Sequence, residues 1–215
     1  MVEKNGQSIL IDCGPDFRQQ ALTQRIDHLA GIVFTHEHKD HVGGLDDIRP
    51  FNFHQKVDIP IYASHRVIEH LKLEYPYIFT EDKYPGIPKI KVVQMDGDPF
   101  QAADIDFTPI QVMHHKLPVW GYRIKDFTYI TDANYIEDSE KQKIYGSKVL
   151  VLNALQIAPH ISHFNLEEAI EMVAELAPET AYFTHISHRL GLHKEISNDL
   201  PDNIHLAYDG LTLSI

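Results

Sequence analysis

Cysteine is nearly absent from this sequence. Its 215 residues include one, Cys13, so no internal disulfide can form and a small disulfide-framed secreted fold is excluded. Long apolar runs are missing too, and none approaches the ~20 residues that a membrane-spanning helix needs. The first residues, MVEKNGQSILIDCG, lack the basic start, apolar stretch and small-residue cleavage site of a signal peptide. A cytoplasmic protein with no membrane partner is therefore expected. Basic charge is in deficit: 19 Lys and Arg face 31 Asp and Glu, for a net charge of −12, and no Lys or Arg run occurs. Proteins that grip nucleic acid along its backbone carry a basic face, so the balance argues against such a partner. Internal repeats and low-complexity linkers are also lacking. The apolar content, 43%, is that of an ordinary globular chain.

Histidine is abundant, with 15 in the chain and no contiguous tag-like run. It is the commonest metal ligand and the usual acid or base near neutral pH. Short β-branched runs read as strands: SILID (8–12), AGIVFT (30–35), IPIYA (59–63), IKVVQM (90–95), IDFTPIQVM (105–113), WGYRI (120–124), FTYIT (127–131), KVLVLNAL (148–155), TAYFT (180–184) and IHLAY (204–208). Helices are expected over Phe17–Gln24, from Leu45 to Phe51, and over His65–Leu73. The clearest follows Asn165 as N-cap and runs to Leu176, with Leu166, Ala169, Ile170, Val173 and Leu176 as its apolar stripe and Pro178 beyond its end. Strands with interspersed helices imply a layered α/β domain, taken as one domain over 1–215. Asn5-Gly6 is a hairpin turn signal. Only Val2–Lys4 precedes it, which makes either a short edge hairpin or a fold whose first strands lie upstream.

The densest cluster of donors is FTHEHKDHVGG (34–44). It holds His36-x-His38-x-Asp40-His41 directly after an apolar run. On a tight loop leaving a strand, the side chains of 36 and 38 project together while 40 and 41 diverge, so that the pairs serve two neighbouring cations. Imidazole and carboxylate donors suit Zn, Mn or Fe. Four ligands do not complete two sites. Later strand ends offer more donors, in MHHKL (113–117), TDAN (131–134) and FTHISH (183–188).

Asp12 in LIDCG, the HxHxDH motif, a later His, a later Asp and a final His stand in an order that resembles the metallo-β-lactamase-fold hydrolases over nearly the whole chain. HHKLPVWGY, THISH and YDGLTLSI make it most similar to the phosphodiesterases of the carbon–phosphorus lyase pathway, which open cyclic phosphates such as phosphoribosyl 1,2-cyclic phosphate. The resemblance implies a four-layer αββα sandwich and two divalent metal ions, Zn or Mn, with Fe a third choice. It assigns His36, His38 and His114 to one ion, Asp40, His41 and His185 to the other, and Asp132 as the bridge between them. Asp12 would orient a ligand histidine. Asp40, Asp132 and His163 form the implied catalytic set: a metal-activated hydroxide attacks phosphorus and His163 protonates the leaving oxygen. His114 is chosen over His115 by the likeness around HKL. His163 is preferred to His160 because it lies nearer a helix start, whose positive end suits an anion. The resembling enzymes hold a further structural zinc through N-terminal cysteines and the second histidine of THISH, here His188. Those cysteines are absent from this sequence, so a metal role for His188 loses its partners.

The expected substrate is a small phosphate ester, and a homodimer is one assembly compatible with this reading. Two other functions stay in play: a tRNA 3′-end processing endonuclease of the same superfamily, and a non-catalytic metal-binding protein on the same fold. The first would need a basic Gly-Pro-rich arm, which is not found; the second commonly shows lost ligands. His28, His54, His65, His70, His193 and His205 read as surface or hydrogen-bonded residues, and Trp120 and Tyr122 as core. Lys116 stands beside the metal histidines, either toward a phosphate oxygen or in solvent. Tyr75–Pro88, rich in Tyr and Pro, reads by default as a surface loop, with a lid or subunit contact as alternatives.

Overall fold

The structure, a computed structural model, describes residues 1–80 and 84–214. Residues 81–83, within the Tyr75–Pro88 stretch, and Ile215, which ends the closing YDGLTLSI, lie outside the described residues. The chain divides into two compact units, Met1–Asp106 and Phe107–Ile215.

The first unit contains β1 (Val2–Lys4), β2 (Gln7–Ile11), α1 (Phe17–Gln24), β3 (Gly31–Val33), α2 (Lys39–Val42), a 3₁₀ turn (Leu45–Ile48), α3 (Arg49–Gln55), β4 (Ile59–Ala63), α4 (His65–Glu74), α5 (Pro76–Phe79), β5 (Ile90–Gln94) and β6 (Phe100–Ala102). Strands β1 to β5 form a sheet in sequence order. The Asn5-Gly6 signal makes the β1–β2 hairpin: Lys4 pairs with Gln7, and both turn residues have positive φ, 54° and 73°. That handedness matches the twist of the flanking strands. Strands β2 to β5 run parallel. Strands β2 and β3 bury consecutive apolar residues, Ile9 and Leu10, and Ile32 and Val33, whereas β4 buries the alternate residues Ile59 and Ile61. Helix α1 coincides with its expected span. The helix expected from Leu45 begins as 3₁₀ and becomes α-helical at Arg49, with Pro50 in its first turn, where no N–H is needed.

Strand β7 (Ile105–His114) leads into the second unit. There follow β8 (Leu117–Ile124), β9 (Phe127–Tyr129), β10 (Tyr135–Ile136), α6 (Asp138–Ile144), β11 (Val149–Asn153), α7 (Leu166–Leu176), β12 (Thr180–Thr184), α8 (His193–Asp199) and β13 (Ile204–Leu206). Their sheet order is β10-β7-β8-β9-β11-β12-β13. Pairing is antiparallel from β10 to β9 and parallel from β9 to β13. Tyr122 is fully buried and meets Phe107 edge-on, with ring centroids 5.8 Å apart; Trp120 is half-buried. Helix α7 has the expected cap. The Asn165 side chain accepts from the Glu168 N–H, and the Glu168 carboxylate accepts from the Asn165 N–H, each at 2.9 Å. This reciprocal pair satisfies two donors that the helix start leaves over. Its Ala169, Val173 and Leu176 join the apolar core of this unit.

Candidate metal centre

In parallel sheets, loops at the carboxyl ends of strands collect functional groups. In the first unit, Asp12 follows β2, and Thr35 and His36 follow β3. Register places Ile11 opposite Val33, so the two loops start side by side, and Asp12 N–H donates to the Val33 carbonyl at 2.9 Å. Asp12 stands at φ 62°, a left-handed conformation that costs free energy in a residue with a side chain. In that position its carboxylate accepts from Thr35 N–H and from the Thr35 hydroxyl, both at 2.8 Å, and from His41 Nδ1 at 2.6 Å. The hydroxyl proton goes to the carboxylate, so Thr35 Oγ1 accepts from His36 Nδ1 at 2.9 Å. Both histidines therefore carry their proton on Nδ1 and present Nε2 as the lone-pair nitrogen, the arrangement in which outer carboxylates and hydroxyls commonly prepare metal ligands.

The tight loop expected for the HxHxDH segment includes a single helical turn. His38 is the N-cap of the single-turn helix α2, which carries Asp40 and His41. The His36 ring lies 4.5 Å from His38 and 4.2 Å from His41, centroid to centroid, and His41 Nε2 is 3.3 Å from Asp40 Oδ2. Among the groups of donor atoms that could hold a metal ion, His36 stands with His38 and Asp40 with His41, the two pairs expected from the sequence. The LIDCG turn clamps this helix. Cys13 N–H donates to the His41 carbonyl at 2.7 Å, and Gly44 N–H donates to the Cys13 carbonyl at 2.8 Å. A Cβ on Gly14 would lie 2.4 Å from the Asp40 carbonyl oxygen, and one on Gly44 would lie 2.2 Å from that of Gly14. Only glycine permits that approach. Cys13 is buried, and burial pushes its thiol well above the ordinary range.

In the second unit, Asp132 follows β9, His163 lies on the loop after β11 and His185 follows β12. Asp132 and His185 have φ of 55° and 52°, again left-handed. Asp132 is 2% exposed; its Oδ1 accepts from the Thr131 hydroxyl at 2.6 Å and lies 3.2 Å from His185 Nε2, while its Oδ2 lies 3.4 Å from His163 Nε2. The buried Asn153 amide holds the next residue by two bonds, Ala133 N–H to its oxygen at 2.8 Å and its Nδ2–H to the Ala133 carbonyl at 3.0 Å. His114 ends β7 and is buried. Its Nδ1–H donates to the Ser162 carbonyl at 2.8 Å, and its ring meets His163 edge-on at 4.5 Å. Burial lowers the His114 pKa, opposed by the Ser162 carbonyl, so the ring favours the neutral form that metal ions bind. His115 turns the other way. It is exposed at φ 58°, with its N–H donating to the Asn134 side chain at 2.8 Å. Lys116 and His188 are exposed.

Both clusters fit divalent cations by the chemistry of their donors. In the first unit, His36 with His38 and Asp40 with His41 supply two pairs of donors. In the second, one donor atom each from His114, Asp132 and His163 lie within 4.8 Å of one another. His163, read from the sequence as an acid, thus stands within ligand distance of two expected ligands. Thr35, Thr131, Asn153 and Ser162 were not singled out from the sequence. Their hydroxyls and carbonyls follow no spacing rule and matter only through the rings and carboxylates that they meet.

Two sheets with interspersed helices and imidazole–carboxylate clusters at strand ends define the metallo-β-lactamase fold of metal-dependent hydrolases. The chain belongs to the beta-lactamase superfamily: the model of the beta-lactamase superfamily domain matches residues 7–186. A crystal structure described as a new diphosphatase from the PhnP family superposes with a TM-score of 0.91 and 34% identity, covering 99% of this chain and 82% of that one. An octanoyltransferase of Porphyromonas gingivalis is 39% identical over 208 residues, 96% of this chain and 42% of that protein. The exodeoxyribonuclease YycJ of Bacillus anthracis is 27% identical over 162 residues, 69% of this chain and 54% of its own length. The chain therefore spans about half or less of these two curated relatives. Among the described residues, no helix is long and apolar enough to cross a membrane.

Proposed function

We propose that the chain is a metal-dependent phosphodiesterase that opens a small cyclic phosphate and works in the cytoplasm. The likeness to the PhnP-family diphosphatase over nearly the full length supports this reading most strongly, because it reaches 34% identity. In this reading His36, His38, Asp40, His41, His114, Asp132 and His185 are the ligands of two ions, Zn or Mn. Divalent cations held there supply acidified water and offset charge on the phosphoryl oxygens.

The protein's own groups do the rest. Asp12 and Thr35 fix the tautomers of His36 and His41. Thr131 fixes one oxygen of Asp132. His163 Nε2 gives its proton to the departing sugar oxygen as that P–O bond breaks and the water oxygen joins phosphorus. The product is a phosphate monoester with a free hydroxyl. Such proton transfer is typically worth about 10²–10⁴-fold.

The likeness to a diphosphatase favours a second reading, cleavage of a diphosphate bond, which asks the same of these donors. The charge of −12 disfavours a tRNA or DNA substrate. Octanoyl transfer gains no support from the residues here, because Cys13 is buried with its thiol held protonated and offers no thiolate to capture an acyl group. The test is to assay protein loaded with Mn²⁺ or Zn²⁺ on phosphoribosyl 1,2-cyclic phosphate, a nucleoside diphosphate ester and single-stranded DNA. Ring opening at the highest kcat/KM is expected. Preferred cleavage of the diphosphate ester would select the second reading, and no turnover of any of the three would defeat both.

A further inference from the structure

The loop between β11 and α7 carries two histidines, and the mechanism above uses only one of them. His163 turns its Nε2 toward Asp132. Its other nitrogen, Nδ1, faces Nδ1 of His160 at 3.2 Å, with ring centroids 5.1 Å apart. Two like nitrogens can share that contact only if one carries a proton and the other a lone pair. The surroundings decide which. Ser162 N–H points at His160 Nδ1 from 3.4 Å, and a backbone N–H can only donate. The Ser162 hydroxyl lies 3.3 Å from the same nitrogen and 3.1 Å from His163 Nδ1. His160 Nδ1 is therefore the acceptor, and the shared proton sits on His163 Nδ1. Through its carbonyl, Ser162 also holds His114 at 2.8 Å, so one residue anchors all three rings.

We propose that His160 is a positioning residue for phosphoester cleavage: its Nδ1 accepts the Nδ1–H of His163, which fixes that ring and leaves His163 Nε2 as the nitrogen that delivers a proton to the leaving oxygen. The inference rests on the reading of His163 as the acid. When the Nε2 proton leaves with the alkoxide, the remaining neutral imidazole keeps its Nδ1–H on His160, so no second rearrangement is needed. An outer acceptor on the far nitrogen is a general way of holding a catalytic imidazole in one tautomer.

The experiment compares His160→Phe, His160→Asn, His160→Gln and His163→Ala in metal-loaded protein. Phe keeps a ring but removes the acceptor. Asn places an acceptor near the Nδ1 position, and Gln places one farther out. Two substrates separate proton delivery from structure: phosphoribosyl 1,2-cyclic phosphate, whose alkoxide must be protonated, and bis(p-nitrophenyl) phosphate, whose phenolate leaves without help. On the cyclic phosphate, His160→Phe and His160→Gln should lower kcat by roughly 10–100-fold at unchanged KM, part of what a general acid contributes. The p-nitrophenyl ester and metal content should be nearly unaffected, and His160→Asn should recover most of the loss. Equal loss on both substrates, lost metal in the His160 variants, or no difference between Asn and Gln would overturn the proposal; if His160→Phe does not fold, the Asn–Gln comparison still decides. Should His163→Ala fail to discriminate between the substrates, the acid reading itself falls. Discrimination by His163→Ala with silent His160 variants defeats this inference alone.

Discussion

Asp12 shows how much can depend on one carboxylate that need not touch a metal. It takes three hydrogen bonds, from Thr35 N–H, Thr35 Oγ1 and His41 Nδ1, and through Thr35 it also governs His36. Replacing Asp12 with Ala should weaken metal retention by about 10–100-fold, as loss of an outer-sphere partner commonly does. Titration with a chromogenic chelator reads this directly, and unchanged affinity would remove Asp12 from its assigned role. Asp132 is buried between His163 and His185, and Asp132→Ala should abolish both turnover and full metal loading, as judged by elemental analysis. Cys13 makes the opposite kind of prediction. Buried and held protonated, it should resist dithionitrobenzoate in the native protein and react only on unfolding. Rapid native labelling would contradict its placement.

At the scale of elements, legibility followed burial. The N-cap Asn165 and the periodic apolar stripe behind it mark α7 in sequence. Helix α6 (DSEKQKI) buries only Ile144, and α8 (HKEISND) buries none of its residues, so neither has an apolar stripe to read. Strand β10 is two residues long and exists through its pairing with Met113 and Val112. Helix α2 was hidden inside the metal motif, whose polar residues are chosen for chemistry and carry no helical pattern. The histidines and aspartates could be read from spacing and family likeness. Thr35 and Ser162 could not, because a hydroxyl or carbonyl that orients a ring has no sequence signature. Two element-scale measurements follow. Asn165→Ala should cost about 1 kcal/mol in urea unfolding, the usual value of an N-cap. Gly44→Ala should cost roughly 1–3 kcal/mol as an overpacked site, because its Cβ would lie 2.2 Å from a backbone oxygen that the LIDCG turn cannot move cheaply.

Across the whole molecule, fifteen histidines and a charge of −12 are the features on which the proposed reading, cations and a small anionic ester held by them, is argued. Ions that bind the folded chain alone must stabilise it by mass action, so chelation should lower the melting temperature as well as end turnover, and Mn²⁺ or Zn²⁺ should restore both. The most direct test of the central claim is to measure metal content and turnover of phosphoribosyl 1,2-cyclic phosphate on the same purified sample. The account predicts two divalent ions per chain, with activity rising in proportion to loading. Full activity in protein shown to be metal-free, or no ring opening at two ions per chain, would contradict it.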